Sequence, residues 1–177
     1  MGMTTFQGPV RSLNGFIGQG PGMVQTVPNG STALTLDVAS YAGRIIYVDD
    51  AAMTITLPTI IASADSPYAG PGSDPNNTNN LGSRYTFYIG RAATALKIGT
   101  DGTDKFVGAL EMVATDAAGA TTAYAPASTN DFINLNGTTT GGIVGSYIIV
   151  TAIAAAQYMV QGVLLGSGSV ATPFANS

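Results

Sequence analysis

Asp49-Asp50 and the run Asp101-Gly102-Thr103-Asp104 are where this chain sets carboxylates side by side. Paired carboxylates can divide general-acid and general-base work, or offer oxygen ligands to a hard cation. Adjacent side chains in a strand point to opposite faces, so Asp49 and Asp50 act together only if the chain bends there. The pair reads as a solvated turn. Asp101, Thr103 and Asp104 lack the further ligands and the terminal Glu of an EF-hand loop, and turn chemistry accounts for them. Glu111, the sole glutamate, lies in an apolar stretch and is expected to be mostly exposed or paired with an arginine.

Other chemistry is absent or matched only by pattern. With no histidine and no cysteine, the chain lacks the commonest general base, the usual imidazole metal ligand, thiolate sites and disulfides. Gly18, Gly20 and Gly22 form a glycine run with no strand before it, no helix after it and no lysine placed for a phosphate. The sequons at Asn29, Asn76 and Asn136 read as turns, since the N-terminus shows no apolar export signal. Tyr85, Phe87, Tyr147 and Tyr158 fall at strand positions that cores use, rather than forming a sugar platform. No catalytic, metal or cofactor residue is assigned, and no enzyme is expected.

The six basic residues, Arg11, Arg44, Arg84, Arg91, Lys97 and Lys105, are scattered, and the net charge is −4, which argues against nucleic acid as a partner. The most apolar window, Ile143 to Leu165, is broken by Gly145, Ser146, Gln157, Gln161 and Gly162 and reads as two β segments, so no membrane span is expected. Only 9% of residues are charged and 23 are glycine, a composition that folds but builds a thin core from small side chains. Burial between subunits would remedy this.

The elements that must carry these residues are strands. In Gly43–Pro58, Arg44 to Val48 is an apolar run suited to a strand buried on both faces, and Met53, Ile55 and Leu57 alternate with threonines. The Asp49–Ala52 turn is expected to join them as a hairpin that stops at Pro58. Leu34, Leu36 and Val38 alternate, as do Tyr85, Phe87 and Ile89. Further strands are expected over Leu96–Ile98, Phe106–Val113, Ala120–Tyr124, Phe132–Leu135, Ile143–Ile153 and Gln157–Leu165. Asp101-Gly102 and Asn136-Gly137 supply hairpin turns, and Ala152–Ala156 is the one link with room for a helical turn. No repeat of fixed period is apparent. Many strands without amphipathic helices predict an all-β chain, an antiparallel β-sandwich or jelly-roll-like barrel.

Residues 1–32 read as an extended arm and 33–177 as one β-rich domain with a long loop at 59–82. The arm is rich in Gly, Pro, Gln and Asn, and it either docks on a neighbour or stays loose. Phe6, Val10, Arg11, Leu13, Phe16 and Ile17 are its candidate contacts. Tyr68, Asn76, Asn77, Asn79 and Asn80 are the exposed-loop candidates, in a loop that serves recognition or is mobile.

The order Leu34-x-Leu36, Gly43-Arg-Ile-Ile-Tyr-Val48, Thr54-Ile-Thr-Leu-Pro58 and Gly82-x-Arg-Tyr-Thr-Phe87 resembles virion proteins of tailed bacteriophages. Later segments are similar too: Leu96-Lys-Ile98, Phe106-Val-Gly108, Asp131-Phe-Ile-Asn-Leu135, Gly145-Ser-Tyr-Ile-Ile149 and Tyr158-Met-Val-Gln-Gly162. Gly8-Pro-Val-Arg-Ser-Leu-Asn-Gly15 resembles head proteins of phages infecting cyanobacteria. The resemblance implies an all-β head decoration (cement) subunit, a homotrimer on the outer surface of the capsid with the major capsid protein as partner. A tail fibre or spike module gripping host glycan is the alternative. Two departures stand out: Thr59–Leu81 is long where the family link is short, and Tyr158-Met159 stands where members often carry Trp.

Overall fold

A computed structural model describes residues 24–62, 80–116 and 121–176. Its first six strands alternate between two sheets. β1 (Val24–Val27), β3 (Ile45–Val48) and β5 (Arg84–Ile89) lie side by side in one sheet, and β2 (Ala33–Thr35), β4 (Thr54–Thr56) and β6 (Leu96–Gly99) in the other. Each neighbouring pair is parallel, with Val24 opposite Ile45 and Ile45 opposite Thr86, and Ala33 opposite Thr54 and Thr54 opposite Lys97. The chain thus winds through three stacked coils, each giving one strand to each sheet. The links stack as well: Asp49 donates its N–H to Val27 O, Thr54 to Thr32 O, Gly90 to Val48 O and Thr94 to Ala51 O.

The later strands complete both sheets. β7 (Lys105–Gly108), β8 (Leu110–Ala114), β9 (Thr121–Tyr124), β11 (Tyr147–Ala154) and β12 (Gln157–Gly166) extend the large sheet, whose main order is β1-β3-β5-β11-β12-β8-β9, with β7 also on β12. β10 (Phe132–Leu135) and β13 (Phe174–Ala175) extend the small one, ordered β13-β10-β6-β4-β2. Gly108 ends β7 at φ 102°, where a Cβ would collide with the carbonyl oxygen of Val160. That kink lets two consecutive short strands share the edge of β12.

Inward residues of both sheets form one apolar cluster. Ile46, Phe87, Ile148, Val150 and Leu164 come from the large sheet, and Ile55, Ile98 and Ile133 from the small one, each fully buried. The period-two pattern in these strands is therefore the pattern of one inner and one outer face.

The all-β expectation holds, but the antiparallel one does not: the sheets are mixed, because coils that cross between sheets return each strand in the direction of its predecessor. The Gly43–Pro58 hairpin is corrected for the same reason, since β3 and β4 belong to different sheets. Nor is β3 buried on both faces, as Ile45 is 43% exposed. Gly102 and Gly137 do take positive φ, yet the links they serve also cross between sheets. Consecutive strands pair antiparallel at β8–β9 and at β11–β12, the latter closed at Ala155-Ala156 with Ala156 at φ 58°, where a helical turn had room. Beyond β2 the expected alternation ends in α1, a single turn over Val38–Tyr41, capped by Asp37 accepting from Ser40 N at 2.8 Å. Residues 24–27, placed in the arm by their sequence, form β1 of the large sheet.

Candidate functional site

Asp49 and Asp50 sit in the middle one of three stacked links, and adjacent side chains face opposite neighbours. Asp50 turns to the first coil. Its carboxylate is 4% exposed and accepts from Gly30 N at 2.6 Å, Ser31 N at 2.9 Å and Ala52 N at 2.8 Å. Asp49 turns to the third coil and pairs with Arg91 Nε at 3.0 Å. The Ala52 N–H, resisted by burial and joined by those of Gly30 and Ser31, holds Asp50 below the usual aspartate value. The solvated-turn reading is thus corrected for Asp50: buried carboxylates need several donors, and this one finds them in two separate coils. A base for proton transfer needs a free lone pair facing substrate, whereas these oxygens face backbone N–H groups.

A second polar knot gathers residues far apart in sequence. Asp104 is buried and accepts from Ile60 N at 2.8 Å; burial drives its carboxyl up despite that bond, and the charge of Asp101 adds to the shift. Asp101 lies on the rim. Burial opposes its ionisation, but the hydroxyls of Thr59 and Thr103 and the N–H groups of Thr103 and Asp104 hold it down to about 2. Lys105 donates to buried Asp131 at 2.9 Å and to Gly102 O at 2.7 Å, and the Tyr158 hydroxyl donates to Pro58 O at 2.6 Å. No group of three or more His, Cys, Asp or Glu among the described residues is arranged to hold a metal ion.

Asn80 completes this knot and is itself a correction. Expected on an exposed loop, it is 7% exposed: its side chain accepts from Ile61 N and donates to Thr59 O, both at 2.8 Å, while its N–H donates to Ile61 O at 3.1 Å. An amide that serves as donor and acceptor to opposing backbone makes a closed neck, and burial follows from that role. Tyr68, Asn76, Asn77 and Asn79 lie outside the described residues, as do Phe6, Val10, Arg11, Leu13, Phe16 and Ile17. Of the other sequence candidates, Glu111 is exposed on β8, and Asn136 accepts from Thr138 N and Thr140 N as a turn residue.

The outer faces of the two sheets differ in chemistry. The small sheet turns out mainly small and polar residues, Ala33, Thr35, Thr54, Thr56, Lys97 and Asn134, with Phe132 lying over Gly99 as its one aromatic. The large sheet turns out a patch of Ile45, Tyr47, Tyr88, Tyr147, Ile149 and Val163, with Tyr88 and Tyr147 each 39% exposed, bordered by Thr26, Arg84, Thr151, Gln161 and Glu111 and interrupted by Thr86. Tyr47, Tyr88, Tyr147 and Val163 stand directly opposite one another across four strands, and the Tyr47 and Tyr88 rings stack at 5.8 Å. A signal for this face was present in the sequence, as apolar residues at both parities of Ile45–Val48 and Tyr147–Val150. In Arg44–Val48 that signal suggests burial on both faces, and Tyr147, expected at a core position, lies on the outer face instead.

The chain matches no family model, no curated protein and no solved structure.

Proposed function

We propose that this chain is a non-enzymatic structural subunit of a tailed-phage virion, a decoration (cement) protein that binds the assembled head shell as a homotrimer and stabilises it. The observation that carries this reading is the two-faced body: a small sheet whose outside is mainly small and polar, and a large sheet whose outside carries a tyrosine and isoleucine patch, over a shared core. In this reading the pair of sheets is a sandwich-like plate, and residues 1–32 include the arm that reaches the shell. Apolar surface of this extent favours assembly. The carboxylates that could suggest chemistry fit the same reading, since Asp50 and Asp104 bind backbone N–H groups and Asp131 binds Lys105. Many weakly held copies on one shell act together through avidity.

The test is co-sedimentation of purified protein with empty heads, together with a mass-spectrometric count of copies per virion. Hundreds of copies and pelleting with heads support decoration; failure to pellet overturns it. One observation favours the fibre or spike alternative. The Ile61–Asn80 neck gives the segment 63–79 a fixed point of departure and return, as a recognition loop requires. A handful of copies per virion, with antibody label at the tail and binding in a glycan screen, would support that reading instead.

A further inference from the structure

We infer that the outer face of the large sheet is the surface on which copies of this chain associate, and that its occupant is a second copy. This rests on the self-association part of the reading above and not on the head shell. In a sheet with one wet side, outward positions are mostly polar, and the small sheet follows that rule apart from Ala33 and Phe132. The large sheet breaks it along Tyr47, Tyr88, Tyr147 and Val163, which run across four strands between Thr26 and Glu111, and at Val24, Ile45 and Ile149 in the adjacent row that also holds Thr86 and Gln161.

Extent and charge both fit a second copy. Seven strands at ~4.8 Å spacing span roughly 29 Å, and a height of roughly 20 Å gives ~600 Å² in projection, or about the 800 Å² per partner of a standard interface once side-chain relief is counted. Arg84, four positions before Tyr88 at the start of β5, and Glu111, opposite Val163 on β8, are exposed on two different flanks of the tyrosine and isoleucine centre. A copy whose flank meets the other flank of its neighbour sets unlike charges together at the rim and apolar side chains at the centre, the anatomy of a protein interface. Rows of tyrosine suit such a centre because the ring is large, rigid and amphipathic.

The test is the mass of the full chain in solution by light scattering. Wild-type protein is expected near three times 17.8 kDa. Tyr88→Glu with Tyr147→Glu is expected to give a 17.8 kDa monomer with an unchanged far-UV spectrum, whereas Lys97→Glu on the small sheet leaves the mass unchanged. Should the double variant fail to fold, the charge pair supplies a second arm: Arg84→Glu weakens association about tenfold, and adding Glu111→Arg restores it. A wild-type monomer overturns both this inference and the homotrimer. An oligomer indifferent to all these changes overturns the surface alone. A monomer that binds an apolar dye only after removal of residues 1–23 assigns the cover to the chain's own N-terminal segment, and overturns the second copy as occupant.

Discussion

Replacing Asp50 with alanine and comparing it with the same change at Asp49 puts the stacked-link account to a direct test. Asp50 accepts three backbone N–H bonds at 2.6–2.9 Å, two of them from another coil. Bonds to a charged acceptor contribute about 1.5–3 kcal/mol each, which would sum to roughly 5–9 kcal/mol if nothing replaced them. Gly30 and Ala52 are exposed and Ser31 is half-buried, so water recovers much of that, and we expect a net loss of about 2–4 kcal/mol. For a chain of this size that lowers Tm by roughly 5–15 °C. Asp49→Ala removes one exposed ion pair and should cost about 0–1 kcal/mol. The assay is urea and thermal unfolding at one fixed protein concentration, because association adds to apparent stability. Asp50→Ala within about 0.5 kcal/mol of wild type, or no worse than Asp49→Ala, would refute the reasoning.

Three further outcomes follow from the same geometry. Asn80→Ala leaves Ile61 N and Thr59 O without their side-chain partner, so it should cost about 1–3 kcal/mol and speed hydrogen exchange at Ile61. Gly108→Ala places a Cβ against Val160 O at φ 102° and should destabilise by more than about 2 kcal/mol in chemical denaturation, whereas Gly102→Ala, at φ 91° with open space around it, should cost only about 1 kcal/mol. With acid, Asp50 and Asp101 have folded values below the ordinary 3.8, so their contribution is complete above it and is lost as pH falls through the folded values, which for Asp101 is about 2. Asp104 is raised and works in the opposite sense, so a pH titration of stability should show loss below about pH 4 that is shallower in Asp101→Asn than in wild type.

Strands were legible in this sequence where one face is buried and the alternation is clean. Tyr85, Phe87 and Ile89 gave β5, and Phe132–Leu135 gave β10 with the same bounds. Partners were not legible. A period of two says which face a residue takes and nothing about the strand beside it, and a four-residue acidic link serves a hairpin or a crossing between sheets equally well. The clue that distinguishes them is a repeat hidden by unequal return links. VQTVPNGSTALTL from Val24 and IIYVDDAAMTITL from Ile45 coincide at Val27 and Val48, Thr35 and Thr56, and Leu36 and Leu57, and both stack in register. The third coil follows only after Asn80, which buries any fixed period.

The polar residues were harder to read for a related reason. Asp49 and Asp50 are identical in type and adjacent, yet one is a rim partner of Arg91 and the other a buried acceptor for Gly30 and Ser31, some twenty positions away. That difference exists only once two coils lie next to each other, because the donors that make a buried carboxylate tolerable come from the neighbouring link. Asn80 is the same case, its amide matched to Thr59 and Ile61 across the base of the insertion. In a chain without histidine or cysteine, the few carboxylates and amides thus acquire their roles from stacking. The outer rows of the large sheet begin in the same stacking, since each coil adds one outward residue to a row, Val24, Ile45 and Thr86 to one and Thr26, Tyr47 and Tyr88 to the next, before β11 and β12 extend them.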